Sequence, residues 1–219
     1  MKYAQCAWVK SIAAAFAIVA SLAAGCGTVA TERFYTLADA STEVSSLDAK
    51  ANAARPTAPT IVISAITVPE LIDRPQIVTR DGANRVNVSE QNLWAEPLKS
   101  AIGRVIAARL AQTLPSARVA AYPQSSIASP GLRVTIDVQR FDAVPGGEAV
   151  IEALWTVRRT SDDAMRSGRT TARRAVDGVA YEDAVRAWSQ ALDDVSRAIG
   201  VASGELLIAS PRDATPKRR

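Results

Sequence analysis

The most regular pattern of apolar and polar residues lies near the end of the chain. Apolar side chains recur there at intervals of four and three residues: Tyr181, Val185, Trp188, Leu192, Val195, Ile199, Ala202 and Leu206. This spacing places them on one face of an α-helix, with charged residues on the other face. It predicts an amphipathic helix of about 26 residues that covers a sheet, although a strict heptad also fits a coiled-coil partner.

A second apolar face runs from Trp94 through Ile102 and Ile106 to Leu110. We expect this face to belong to another long helix. Ser89, with Glu90 or Asn92, is one candidate start, but a start that puts Pro97 within the first turn fits best, because proline is tolerated there.

Alternation of apolar and polar residues predicts the strands. The clearest case is "LRVTIDVQRF" (132–141), followed by a turn at "PGG" (145–147), a returning strand in "EAVIEALWTVRR" (148–159) and a weaker strand over 168–176. "TIVISAITVPE" (60–70) and "RVAAY" (118–122) are also strands, and Asp81-Gly82 turns a hairpin between Ile77 and Val88. Without a β-α-β-α rhythm, the pattern predicts a single α+β domain, whose mostly antiparallel sheet is covered by two long helices.

The first 25 residues have the features of a secretory signal peptide. A basic start, "MKYAQCAWVK", precedes an apolar stretch of about 14 residues, whereas a membrane-spanning helix needs about 20. The stretch ends in "LAAGC" (22–26), which resembles a bacterial lipobox. We therefore expect cleavage between Gly25 and Cys26 and lipidation of the Cys26 thiol. Gly27 stands where an aspartate often retains lipoproteins in the inner membrane, so we expect the outer membrane, facing the periplasm.

This anchor determines the predicted organisation of the rest of the chain. Residues 26–33 form a lipidated tether, which reaches less than about 30 Å when extended. The folded domain covers residues 34–209 and includes a mobile loop at 38–59, which is small, polar and interrupted by Pro56 and Pro59. Residues 210–219 lack apolar anchors and are predicted to be a disordered tail.

Composition excludes several classes of function. Removing the two lysines of the signal peptide lowers the formal net charge from +4 to +2, which does not indicate nucleic-acid binding. The chain has no histidine, and its one mature cysteine is predicted to carry lipid. Ser-His-Asp and Cys-His nucleophiles and histidine-bearing zinc sites are therefore excluded. We expect no cofactor, no metal and no enzyme activity, the alternative being a hydrolase that uses Ser-Lys or carboxylate chemistry.

Two further sets of side chains have alternative interpretations. Six arginines crowd one predicted hairpin: Arg158, Arg159, Arg166, Arg169, Arg173 and Arg174. They are candidates to bind anionic headgroups or an acidic partner, but a solvated face, partly neutralised by Asp162 and Asp163, is the favoured interpretation. Trp94, Trp155 and Trp188 each lie on an apolar face, which favours core packing over ligand stacking.

Several motifs after the lipobox appear in a familiar order. They are "FYTL" (34–37), "ITVPELIDRPQIVTR" (66–80), "NLWAEPL" (92–98) and "VTIDVQRFD" (134–142). In this order they resemble the ABC-type transport auxiliary lipoprotein family, and within it the PqiC-type lipoproteins. The resemblance spans nearly the whole mature chain. Leu71 and Leu93 stand where the family often has tyrosine and arginine.

The resemblance implies an outer-membrane lipoprotein that works with a mammalian-cell-entry (MCE) domain protein and assembles into a homo-oligomeric ring. The apparatus moves lipids, phospholipids in particular, between the two membranes, and the ring docks on the end of the MCE tunnel. A structural envelope lipoprotein that binds another outer-membrane assembly is the alternative.

The irregular segment Glu70–Arg80 is the first candidate for a partner or subunit contact. Its contact residues are Glu70, Leu71, Ile72, Asp73, Arg74 and Pro75. Leu71 and Ile72 favour docking if they are exposed. A local turn with an internal Asp73–Arg74 ion pair is an equally weighted alternative.

Overall fold

The computed structural model describes residues 31–38, 58–121 and 130–209. The chain divides after Thr31, and the compact unit that begins at Glu32 contains the elements below. The predicted signal peptide, Cys26 and Gly25, most of the 38–59 loop and the 210–219 tail lie outside the described residues.

Within the described ranges, the elements follow the order β1 Arg33–Tyr35, β2 Thr60–Thr67, β3 Gln76–Arg80, β4 Val86–Trp94, α1 Leu98–Thr113, β5 Arg118–Ala121, β6 Leu132–Ala143, β7 Glu148–Arg159, β8 Met165–Ala175 and α2 Tyr181–Ile208. Strands and helices occupy separate stretches, so the single domain is α+β as predicted. Neither helix is long and apolar enough to cross a bilayer.

The strands form two mixed sheets, so the prediction of one mostly antiparallel sheet is wrong. The larger sheet has the order β5-β2-β6-β7-β8 and the smaller one β1-β4-β3. Strand β2 is parallel to both β5 and β6, and β1 is parallel to β4. The other pairs, β3–β4, β6–β7 and β7–β8, are antiparallel. Parallel neighbours are far apart along the chain, and no local turn motif marks them.

The two helices differ in length, which corrects the prediction of two long ones. Helix α2 has 28 residues and helix α1 has 16. The candidate start at Ser89 is wrong, because Ser89 and Trp94 belong to β4. The helix begins at Leu98, directly after Pro97, which is close to the favoured start with Pro97 in the first turn. Asn92 and Trp94 pair with the short β1 strand, and this tertiary contact overrides the helical spacing of the local sequence.

The predicted hairpin and three-stranded meander are both present. Gly82 and Gly146 adopt positive φ angles in the two tight turns, where a side chain is disfavoured. Along β6 the residues from Leu132 to Gln139 alternate between buried and exposed.

The core lies between the helices and the inner faces of the sheets. Its centre is a cluster of three aromatic rings, in which Phe141 stacks on Trp188 at 4.8 Å and Trp94 contacts both rings. The Trp188 indole donates a hydrogen bond of 2.9 Å to the Asp142 carbonyl. Trp94 and Trp188 are buried, which confirms core packing for these two residues.

Candidate partner surface and the junction of the sequence motifs

The segment from Pro69 to Pro75 forms a compact turn between β2 and β3. The Ile72 amide donates to the Pro69 carbonyl at 3.1 Å, and the Asp73 amide donates to the Glu70 carbonyl at 3.3 Å. These bonds direct Ile72 into the core, where it is 7% exposed, and leave Leu71 on the surface at 42% exposed. The expectation that both side chains are available for docking therefore holds only for Leu71.

The charged residues of this turn have different environments. Asp73 forms a 2.7 Å ion pair with Lys99 in the first turn of α1. The alternative of an internal Asp73–Arg74 pair is therefore wrong. Arg74 is exposed and forms no ion pair with any residue in the described ranges. The guanidinium of Arg74, two residues beyond the buried Ile72, therefore has no carboxylate partner among these residues.

Grooves flank this turn on two sides. One, of about 300 Å³, runs from Asp73, Arg74 and Pro75 to the segment Trp94–Leu98. The other, of about 510 Å³, lies between Asp73, Lys99 and residues 63–66 of β2. Strand β5 pairs only with Thr60–Ile63 of β2, so the outer edge of residues 65–67 has no strand beside it among the described residues. An extended partner segment has room along this edge.

Three of the motifs quoted above meet beside the turn. The Trp94 amide donates to the Pro75 carbonyl at 2.7 Å, and the Ala95 amide donates to the Tyr35 carbonyl at 2.8 Å. Leu93 lies opposite both Phe34 and Gln76 in the small sheet. The motifs "FYTL", "DRPQ" and "NLWAEPL" are therefore neighbours in space as well as successive parts of the chain.

Arg104 of α1 connects this junction to the start of the folded domain. Its guanidinium binds Glu96 at 2.8 Å, the Thr36 hydroxyl at 3.0 Å and the Leu37 carbonyl at 2.8 Å. The Leu37 side chain is fully buried. Strand β1 and the residues that follow it are thus held to α1 by charge-assisted hydrogen bonds and by packing. Arg104 carried no signal in the sequence, because its partners lie up to 68 residues away.

The six arginines of the hairpin are all paired with carboxylates. The ion pairs are Arg158–Asp163, Arg159–Asp162, Arg166–Glu205, Arg169–Glu152, Arg173–Glu148 and Arg174–Asp194, at 2.7–3.3 Å. A patch for headgroups or an acidic partner stays a prediction, but its positive charge is largely compensated within the protein.

Arg159 differs from the other five arginines because it also binds the end of helix α2. It binds both oxygens of Asp162 at 2.8 Å, and its other nitrogen donates to the Leu206 and Ala209 carbonyls at the end of α2. It thus satisfies backbone acceptors that a helix end leaves without partners. The hydrogen bond from Arg159 lowers the pKa of the Asp162 carboxyl.

Comparison with known proteins identifies the family. A model of the ABC-type transport auxiliary lipoprotein component matches residues 35–200, which include all ten elements except the first residues of β1 and the last turns of α2. The chain belongs to this family.

Several known proteins resemble this chain in sequence or in fold. The intermembrane transport lipoprotein PqiC of Escherichia coli (strain K12) is 26% identical over 141 residues, 63% of this chain and 73% of PqiC. A solved structure of an uncharacterized protein superposes with a TM-score of 0.62 at 18% identity and covers 78% of this chain and 97% of its own. A Xanthomonas campestris protein gives 0.56 at 19%, covering 71% and 94%. These two structures show the fold.

Family membership has direct consequences for the predicted function. The family comprises auxiliary components of transport systems rather than a known class of enzymes, and its members are lipoproteins of the cell envelope. In the described ranges, no group of acidic side chains is arranged to hold a metal ion.

Proposed function

We propose that this protein is a lipid-anchored accessory component of an MCE/ABC-type intermembrane phospholipid transport system. It is held at the outer membrane by diacylated Cys26, faces the periplasm, docks the end of the transport tunnel and works as a homo-oligomeric ring. It acts by contact and not by catalysis. The family match and the similarity to an intermembrane transport lipoprotein support this proposal.

The observation that carries the docking role is the position of the Pro69–Pro75 turn. Phe34, Leu93 and Gln76 lie side by side on adjacent strands. Two strand spacings of about 4.8 Å place the turn about 10 Å from β1, the strand that follows the tether. A tunnel end that approaches the membrane would meet Leu71 and Arg74 close to the bilayer. The short tether raises the local concentration of this surface.

The chemistry of the turn favours a protein partner. An exposed leucine beside an unpaired arginine is typical of a contact that combines apolar burial with charge complementarity. Arginine is enriched in such interfaces because its guanidinium binds carboxylates in a bidentate manner. The partner surface therefore carries an acidic group next to an apolar one.

A double variant, Leu71→Asp with Arg74→Glu, tests this role. Both side chains are exposed, and Arg74 has no ion pair to lose among the described residues, so we expect the free energy of unfolding to change by less than about 1 kcal/mol. Affinity capture of the acylated protein from detergent-solubilised envelopes should recover an MCE-domain protein with the native chain and lose most of it with the variant.

The control is Val201→Asp, which adds a charge on α2 at a side chain that is more exposed than Leu71 (60% against 42%). It should retain the partner. Capture of another outer-membrane assembly in place of an MCE-domain protein would support the alternative of a structural envelope lipoprotein. Equal capture by all three proteins would contradict the assignment of the docking surface to this turn.

A further inference from the structure

Strand β1 carries an exposed aromatic side chain. Phe34 is 60% exposed, although it lies in β1 between Arg33 and the half-buried Tyr35. Because side chains alternate along a strand, Phe34 points away from the face on which Tyr35 and Trp94 pack. An aromatic ring left in water loses the free energy that its burial would release.

Phe34 borders the beginning of helix α2. It lines one groove of about 410 Å³ together with Glu182, Val185 and Arg186 from the first two turns of that helix. Two residues before α2 begins, Val179 is 80% exposed. The loop that holds Val179 is bonded to the β6–β7 turn, since the Gly146 amide donates to the Gly178 carbonyl at 2.7 Å.

The β6–β7 turn adds a third apolar side chain to this end of the domain. Val144 is 39% exposed, and a Cβ atom placed on Gly146 would lie 3.6 Å from Val179. Val144 and Val179 lie beside the loop that precedes α2, and Phe34 lines a groove along the first turns of the helix; we call these three residues the apolar end of the domain.

Charges at the apolar end are compensated locally. Arg186 pairs with both Glu182 and Asp183, at 3.5 and 3.0 Å, and the Asp183 carboxylate also accepts a hydrogen bond from the Ala180 amide. Two carboxylates and one guanidinium leave this turn with a single negative charge, which the positive end of the helix dipole partly offsets, so it opposes approach to a phospholipid surface only weakly.

Chain length decides which surface can cover the apolar end. Cys26 precedes Phe34 by eight residues, which span at most about 29 Å when fully extended. Helix α2 is longer than that. Its 28 residues extend about 40 Å from Tyr181 to Ile208. A bilayer that holds the acyl chains is therefore always within reach of Phe34, whereas Ile208 lies at the opposite end of the helix.

We propose that the apolar end of the domain rests on the phospholipid bilayer that holds the Cys26 anchor, so that helix α2 starts at the membrane and ends away from it. Phe34 and Val179 enter the headgroup region and add apolar contacts to those of the acyl chains. This contact fixes the orientation of the domain, which the tether alone leaves free. The inference rests on the proposed lipidation of Cys26.

Single-cysteine variants of the acylated full chain test this orientation. Cys6 leaves with the signal peptide and Cys26 is blocked by lipid, so an introduced cysteine is the only free thiol. Phe34→Cys and Val179→Cys are the test positions. Ile208→Cys, at 87% exposed, is the matched control. Each is labelled with an environment-sensitive fluorophore, and the protein is reconstituted into phosphatidylethanolamine–phosphatidylglycerol vesicles that contain nitroxide-labelled lipid.

We expect several-fold stronger quenching at positions 34 and 179 than at position 208. Equal quenching at all three positions would overturn the inference. A blue-shifted but unquenched label at position 34 would also overturn it, because it would mean burial against protein. Mass spectrometry of the same samples separates the two proposals. An unacylated Cys26 would remove both the proposed function and this inference, whereas acylated protein with equal quenching would remove the inference alone.

Discussion

The arginines of the β7–β8 hairpin and the arginine of the Pro69–Pro75 turn have different environments. In the β7–β8 hairpin, six arginines are each paired with a carboxylate, and one of them binds the end of α2. In the Pro69–Pro75 turn a lone arginine, Arg74, has no ionic partner among the described residues and stands near the exposed Leu71. A cluster of like charges in a sequence is therefore a weaker sign of a partner surface than one unpaired charge beside an exposed apolar side chain.

The largest loss of stability is expected from a substitution in the aromatic core that supports both surfaces. Trp188→Ala removes the ring between Phe141, in the strand next to the hairpin, and Trp94, whose amide binds Pro75. Truncation of a buried aromatic residue costs about 3–5 kcal/mol. Urea unfolding should show a loss in this range, and hydrogen exchange should increase in both regions. Faster exchange in only one region would mean that the two are not coupled through the aromatic cluster.

A smaller loss of stability should distinguish Arg159 from Arg169 in the hairpin. Arg159→Ala leaves Asp162 and two backbone carbonyls at the end of α2 without their donor, so the midpoint of thermal unfolding should fall. Arg159→Lys should recover only part of this loss, since lysine cannot bind both carboxylate oxygens and the helix end together.

The matched control for Arg159 is Arg169→Ala. The Arg169 side chain is 62% exposed, and its pair with Glu152 is 3.1 Å long. Such a surface pair contributes at most about 1 kcal/mol. If the Arg159 and Arg169 variants unfold at the same temperature, the structural role of Arg159 is wrong.

The smallest expected effects are changes of stability with pH. Asp193 and Asp162 should contribute to them with opposite signs. Burial raises the pKa of the Asp193 carboxyl, while Arg109, Arg174 and Arg197 act against this shift. Arg109 lies 2.7 Å from Asp193, but the Asp193 oxygen makes no aligned hydrogen bond. The folded state therefore binds the Asp193 proton more tightly than the unfolded chain does. Its contribution to stability falls as pH rises through this shifted pKa.

Asp162 shows the reverse behaviour, because its pKa is lowered by the hydrogen bond from Arg159. Its contribution is complete above the pKa of the unfolded chain, near 3.9, and is lost as pH falls through the lower folded value. The stability difference between the native chain and Asp162→Asn should shrink on acidification below pH ~4. For Asp193→Asn, the difference should instead move in favour of the native chain as the pH falls from the raised folded pKa of Asp193 to the unfolded value near 3.9, and should stay constant below it. Parallel unfolding curves recorded across this pH range would contradict both assignments.

Patterns within one element were sufficient for the prediction of several parts of the fold. The alternation from Leu132 to Gln139 predicted β6, and the heptad from Tyr181 to Leu206 predicted a helix that the structure extends only to Ile208. These predictions succeeded because the period of a strand or helix is recorded in neighbouring residues.

Prediction failed where an element depends on a distant partner. Trp94 continues the apolar spacing of α1, yet residues 92–94 pair with β1, which lies more than 50 residues earlier. Prediction of the candidate site also failed where it depended on residues far away in the sequence. The sequence motifs indicated the segment Glu70–Pro75, but nothing in them showed that Ile72 is buried, that Asp73 binds Lys99 or that Arg104 joins the motifs.

The sequence by itself determined the α+β class, the meander, the long amphipathic helix and the family, since these follow from local periodicity and from motifs in order. The tertiary structure alone decided the parallel strand pairs, the partner of each arginine and the exposure of Leu71 and Phe34. Hydrogen bonds and ion pairs join any two groups that the fold brings within about 3 Å. Residues such as Arg174 and Asp194, or Arg80 and Asp142, therefore find each other only once the chain has folded.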